Sequence, residues 1–180
     1  MNFSTKIINW YNQNYRDLPW RNTTDAYKIW LSEIILQQTR VSQGLPYYIN
    51  FVTAFPTVND LANADEQQVL KLWQGLGYYS RARNLHFTAK FVVENLNGIF
   101  PTTYEELLKL KGIGTYTAAA IASFSANEAV AVVDGNVFRV LSRIFNVNYD
   151  ISLNTTKKYF IEVKRLFKKI NSFFLFLFIS

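Results

Sequence analysis

An all-α fold is expected from three observations. Apolar residues recur at helical spacing along almost the whole chain, glycine and proline fall at the intervals that separate short helices, and no alternating segment exceeds a few residues.

Taken in order, residues 3–14 place Phe3, Ile7, Ile8 and Tyr11 on one helical face, and Pro19-Trp20 ends that unit. Asp25 is suited to cap a helix running to about Thr39. A short apolar-periodic segment over 42–54 stops before Pro56. Asp65 with Gln68 reads as a capping box for a helix ending near Gly75 and Gly77. A long helix follows from about Tyr78 to Asn95, closed by Asn97, Gly98 and Pro101. Further helices are expected over 103–110, 115–125, 136–146 and 155–169, and Ala129–Val133 is the one strand candidate. No internal repeat is present.

Composition narrows the function. Apolar residues make up 49% and aromatics 17%, which argues against disorder over most of the 180 residues. The formal charge of +6 is unevenly placed. Residues 155–170 hold six Lys/Arg against one Glu, whereas residues 1–154 hold thirteen against twelve. Phosphate contacts in the main body must therefore be local. With no cysteine and a single histidine, His86, neither a disulfide framework nor a thiolate or paired-histidine metal site is expected. The N-terminus does not read as a signal peptide, and the longest apolar run, Phe173 to Ile179, is far shorter than a membrane span.

Three constellations carry chemistry. Glu33 has Ile29, Trp30, Leu36 and Gln37 as its helical neighbours, three of them apolar. A carboxyl on such a face is poorly solvated, which suits a general acid, although a glutamate at the edge of an amphipathic stripe fits the same pattern. The turn Leu110, Lys111, Gly112, Ile113, Gly114 leads into Thr115 and Tyr116 at a helix start. Preceded by 103–110, it makes a helix-hairpin-helix, whose exposed amides and helix dipole favour an anion; a bare helix connector is the alternative. Asp134 follows an apolar run and can cap the helix near Asn136, face a developing positive charge, or both.

The remaining features are weaker. Tyr78 and Tyr79 with Arg81 and Arg83 offer an aromatic and basic face, though aromatic helix starts are often core. Gln37 and Gln38 end a helix, as polar residues commonly do. His86 reads as structural or surface, and the basic cluster at 164–169 as a solvated helix face.

Taken together, Leu18 to Arg21, Trp30 to Thr39, Leu72 to Arg81, the hairpin and Asp134 to Asn136 resemble adenine DNA glycosylases of the MutY type, in the helix-hairpin-helix superfamily. The resemblance spans residues 3–160. It implies a base excision repair hydrolase that cleaves the N-glycosidic bond of adenine opposite 8-oxoguanine or guanine in double-stranded DNA, after flipping the base out. In that scheme Glu33 protonates the adenine and Asp134 stabilises the sugar cation, with Tyr116 and Asn136 at further catalytic positions. Trp20 and Arg21 match the adenine-pocket segment. Gln38 and Tyr78 match residues that wedge into the base stack. Gln37, Thr39, Arg81, Lys111, Gly112, Ile113, Gly114 and Thr115 are the remaining expected DNA contacts. Tyr116 stands where strand-nicking relatives carry a nucleophilic lysine, so a monofunctional glycosylase is expected.

The family also carries a [4Fe–4S] cluster on four cysteines, followed by a lesion-reading domain; here the ligands are absent, and no cofactor is expected. The expectation is thus an incomplete glycosylase fold: a six-helix subdomain over 20–147 with its hairpin at 108–121, remnants of the cluster-side subdomain at 1–19 and 148–167, and an aberrant apolar tail at 168–180. A frameshift or premature stop would account for that tail. A catalytically impaired DNA-binding fragment, or a non-functional product, is the alternative. A monomer is expected, without membrane attachment, in a bacterial-type cytoplasm beside the nucleoid.

Overall fold

The computed structural model describes residues 3–130 and, beyond them, Arg139, Ser142, Arg143 and Asn146. Among the described residues every regular element is helical. The helices are α1 (Phe3–Asn14), α2 (Ala26–Ile35), α3 (Val41–Ala54), α4 (Val58–Asn63), α5 (Glu66–Leu72), α6 (Ser80–Asn95), α7 (Tyr104–Leu107) and α8 (Thr115–Ala126), with a 3-10 turn at Pro19–Arg21. Ala129 and Val130 belong to no regular element, and the rest of the expected strand lies outside the described residues. So do the helices expected at 136–146 and 155–169, apart from the four isolated positions, and the tail.

The fold is built around α2. Asp25 caps it as expected, its Oδ1 accepting from the Tyr27 amide at 2.9 Å and the Lys28 amide at 3.5 Å. Every α2 residue except Lys28 and Glu33 is buried. A helix apolar on nearly all sides belongs at the centre of a core, and α2 packs against α3, α8 and the 3-10 turn. Its approach to α8 is made possible by alanines: Thr117 through Ser123 are all buried, and Ala118 to Ala120 present little more than methyl groups. Aromatic contacts complete the core, with Trp30 against Phe100 at 4.9 Å and Phe51 edge-on to Trp73 at 5.8 Å.

Several boundaries differ from the sequence expectation, and α2 ends at Ile35 rather than near Thr39. Between Pro56 and Asp65 lies a helix the periodicity did not reveal, α4, which packs across α6. Its start is a capping box in which Asp60 replaces the usual Glu or Gln: the Thr57 amide donates to Asp60 Oδ2 at 2.9 Å, and the Asp60 amide donates to Thr57 Oγ1 at 3.3 Å. At α5, by contrast, Asp65 caps through the Gln67 amide at 2.7 Å rather than through a reciprocal box with Gln68. Pro46 sits inside α3 and Tyr79, not Tyr78, caps α6. The described side chains of α1 are mostly exposed, Trp10 by 51%, while Tyr11 is half-buried beneath the Arg21 guanidinium.

Candidate functional site

Glu33 is half-buried on α2, with buried Ile29 and Trp30 one turn before it and half-buried Leu36 and Gln37 just past the helix end. Tyr116 is half-buried in the first turn of α8, the helix that packs directly on α2. The structure thus sets the helices bearing these two side chains against each other. Asp134 and Asn136 lie outside the described residues.

The hairpin divides its labour by burial. Leu110 and Ile113 point inward and are 4% and 6% exposed, so Ile113 anchors the turn. Lys111, Gly112, Gly114 and Thr115 face outward. Gly112 has φ of +79°, and a Cβ there would sit 3.1 Å from the Asn84 Cβ, so both backbone conformation and space call for glycine. The fully buried Thr88 hydroxyl donates to the Lys111 carbonyl at 2.8 Å and ties the turn to α6. Among the described residues no side chain caps α8 at Gly114, so the start of this helix can face an anion. The Lys111 ammonium lies over the Phe87 ring, 4.5 Å from its centroid.

A cavity of about 100 Å³ separates the hairpin from α2, bordered by Trp30, Gln37, Arg81, Asn84, Lys111 and Gly112 among others. The C-terminal end of α2 and the hairpin therefore adjoin on one side of the molecule. Two turns near Arg81, which borders this cavity, are strained. Gln38 adopts φ of +57° and Tyr78 φ of +46°, left-handed conformations that side chains with a Cβ rarely take. Both residues are exposed, Tyr78 by 68%.

Arg81, expected at a DNA face, is instead turned into the fold. Its Nη1 donates to the carbonyls of Ile34 at 3.0 Å and Gln37 at 2.6 Å, and its Nη2 to those of Leu76 at 3.2 Å and Gly77 at 3.5 Å. The guanidinium also lies over the rings of Trp73 and Tyr78, and burial lowers its pKa from the ordinary arginine value. Thr39 closes the α2 end through its amide to the Leu36 carbonyl at 3.1 Å and its hydroxyl to the Gln37 carbonyl at 3.3 Å.

Trp20 is 7% exposed and stacks edge-on against Tyr48 at 5.0 Å, its indole N–H buried without a hydrogen-bond partner among the described residues. Arg21 is half-buried and donates to the Arg16 carbonyl at 3.2 Å; burial, above all, lowers its pKa. His86 is 2% exposed, packed where α6 meets the α4–α5 junction, and so is structural rather than a surface residue. Sequence reasoning missed the inward turn of Arg81, because one arginine among four polar and aromatic neighbours gives no sign of direction.

The sequence contains no cysteine to supply thiolates to an iron–sulfur cluster, and no group of His, Asp or Glu suited to a metal occurs among the described residues. None of the described helices is long and apolar enough to cross a membrane.

Residues 31–169 match the HhH-GPD superfamily of base excision DNA repair proteins. The adenine DNA glycosylase of Buchnera aphidicola (subspecies Baizongia pistaciae) is 46% identical over 147 residues, which cover 81% of this chain and 42% of the relative. The human adenine DNA glycosylase is 46% identical over 159 residues, 83% of this chain and 29% of the relative. The matched region spans less than half the length of each of these two relatives. Among solved structures, a thermostable thymine-DNA glycosylase superposes with a TM-score of 0.84 at 30% identity, covering 97% of this chain and 82% of that one.

Proposed function

The chain belongs to the HhH-GPD superfamily of base excision DNA repair proteins, and on that footing we propose that it acts as an adenine DNA glycosylase. The observation that carries this reading is the packing of α2, with Glu33, on α8, which begins at the hairpin and bears Tyr116. A hairpin that grips the backbone and an acid one helix away are the two parts that base release from DNA requires. The relatives at 46% identity are named adenine DNA glycosylases, which supports adenine as the base.

In this reading the duplex is held through the exposed backbone of Gly112, Gly114 and Thr115, with Lys111 adding charge. Tyr78 and Gln38 enter the stack, and adenine opposite 8-oxoguanine or guanine turns out of the helix. Glu33 donates a proton to the adenine ring, making it a neutral leaving group, while Asp134 faces the cationic sugar left behind; Asn136 and Tyr116 complete the site. Trp20 and Arg21 contribute to the base pocket. Water closes the reaction at the anomeric carbon. A phenol at 116 cannot form a Schiff base, so the strand stays intact. The chain offers no thiolate for the family's cluster, and no step depends on one. A monomer working in a bacterial-type cytoplasm completes the reading.

The decisive assay is single-turnover release of adenine from a duplex carrying adenine opposite 8-oxoguanine. Glu33→Gln is expected to lower the rate by at least 10²-fold, the range general acid catalysis supplies, with duplex affinity retained. Equal rates in the two proteins would refute the role given to Glu33. Duplex binding with no release by the unsubstituted chain would leave a DNA-binding protein without turnover.

A further inference from the structure

We infer that Arg81 is a positioning residue: one half-buried guanidinium sets the two left-handed turns that present Gln38 and Tyr78 to DNA. The inference deepens the proposed function, on which it rests for what that surface does; the clamp itself stands on geometry.

The four carbonyls that Arg81 holds are not scattered. The Gln37 carbonyl belongs to the peptide that enters Gln38, and the Gly77 carbonyl to the peptide that enters Tyr78. These are the two residues held at φ of +57° and +46°. Neither turn is a neighbour of the other in sequence, and a single planar fork reaches both, Nη1 on one side and Nη2 on the other. Left-handed backbone at residues with a Cβ persists only where the surroundings over-determine it. Here the surroundings are this fork, together with the Trp73 indole, which donates to the same Gly77 carbonyl at 2.9 Å.

The clamp also fixes a side chain. Arg81 lies 5.1 Å from the Trp73 ring centroid and 5.7 Å from that of Tyr78. Trp73 is fully buried and Tyr78 is 68% exposed, so the guanidinium couples an outward ring to the rigid core. A ring kept in place before DNA arrives loses less freedom on insertion into the stack. The hairpin, anchored independently by Thr88, does not share these contacts. Loss of Arg81 should therefore weaken stack insertion and spare backbone binding.

The test uses the full chain with Arg81→Met, which keeps an apolar stem beside Trp73 and removes every donor, and Arg81→Lys, which keeps a charge able to serve one turn at a time. Hydrogen exchange is followed in peptides covering 36–39 and 76–79, with α8 as the internal reference. Affinity is measured for a duplex carrying a stable abasic analogue opposite 8-oxoguanine and for the same duplex without a lesion. Exchange in both turns should quicken more than tenfold in Arg81→Met while α8 is unchanged, and the preference for the lesion duplex should fall about tenfold, with Arg81→Lys between. Unchanged exchange in either turn, or a parallel fall in both affinities, overturns the inference. If Arg81→Met does not fold, the same readouts in Arg81→Lys decide it, at smaller amplitude. An unsubstituted chain with no preference for the lesion duplex refutes the proposed function instead, and the exchange measurement still judges the clamp.

Discussion

His86 shows how a residue with no place in the chemistry still leaves a mark on behaviour. It is 2% exposed, and its Nε2 is buried without a hydrogen-bond partner among the described residues. Burial is the main force holding its pKa below the usual histidine value, and the Lys90 ammonium one turn along α6 adds to it. The backbone of Ala64 and Ala62 and the Glu66 carboxylate pull the other way without winning. The unfolded chain therefore takes up this proton more readily than the folded one. The resulting stability is complete above the ordinary histidine pKa of about 6.5 and is lost as pH falls toward the lowered folded value. A single such proton contributes at most about 1.4 kcal/mol per pH unit across that window. Thermal midpoints measured from pH 8 to pH 5 should stay level and then fall below pH 6.5. In His86→Leu that part of the fall should disappear. A fall of the same steepness in both proteins would assign it to other groups.

At the scale of the element, α4 is the instructive case, because it escaped the sequence reading and yet packs across α6. Its six residues are too few for a periodic signal, and Pro56 reads as a terminator although it stands just ahead of a helix start. What was visible was the pair Thr57 and Asp60, one residue type away from the usual box. The Thr57 hydroxyl both accepts from the Asp60 amide and donates to Asp60 Oδ2 at 2.6 Å. Thr57→Ala removes both contacts and should cost about 1 kcal/mol, lowering the melting midpoint by roughly 2–4 °C. Thr57→Ser, which retains the hydroxyl, should recover most of it; an alanine variant melting with the unsubstituted chain would mean the box is idle. The same contrast governs the site. The cap at Asp25 and the glycine demanded at 112 were legible because each obeys a local rule within a few residues. The clamp made by Arg81 was not, since its partners at Ile34 and Gln37 lie more than forty positions away. Only packing shows that this arginine faces inward.

For the molecule as a whole, the question is how many cooperative units the described helices form. The principal core is one contiguous cluster running from Leu18 to Ala122, and it holds Trp20, Trp30 and Trp73 together. Trp10, on α1, is 51% exposed and reports little of the core. Tryptophan fluorescence thus follows the cluster, whereas ellipticity at 222 nm follows every helix, including α1. If the cluster unfolds as one unit, the two probes should give superimposable transitions. The exposure of the described α1 side chains works against coincidence, because a terminal helix can fray before the rest. Fraying without a cooperative core of its own adds a slope to the ellipticity before the transition and does not move the midpoint, so the cluster should prevail. Heating the full chain while recording both signals tests this. A fluorescence transition that clearly precedes or follows the ellipticity transition would show that α2 and its aromatic neighbours do not unfold with the surrounding helices, and the clamp joining Ile34 and Gln37 to Leu76 and Gly77 would then span two units rather than brace one.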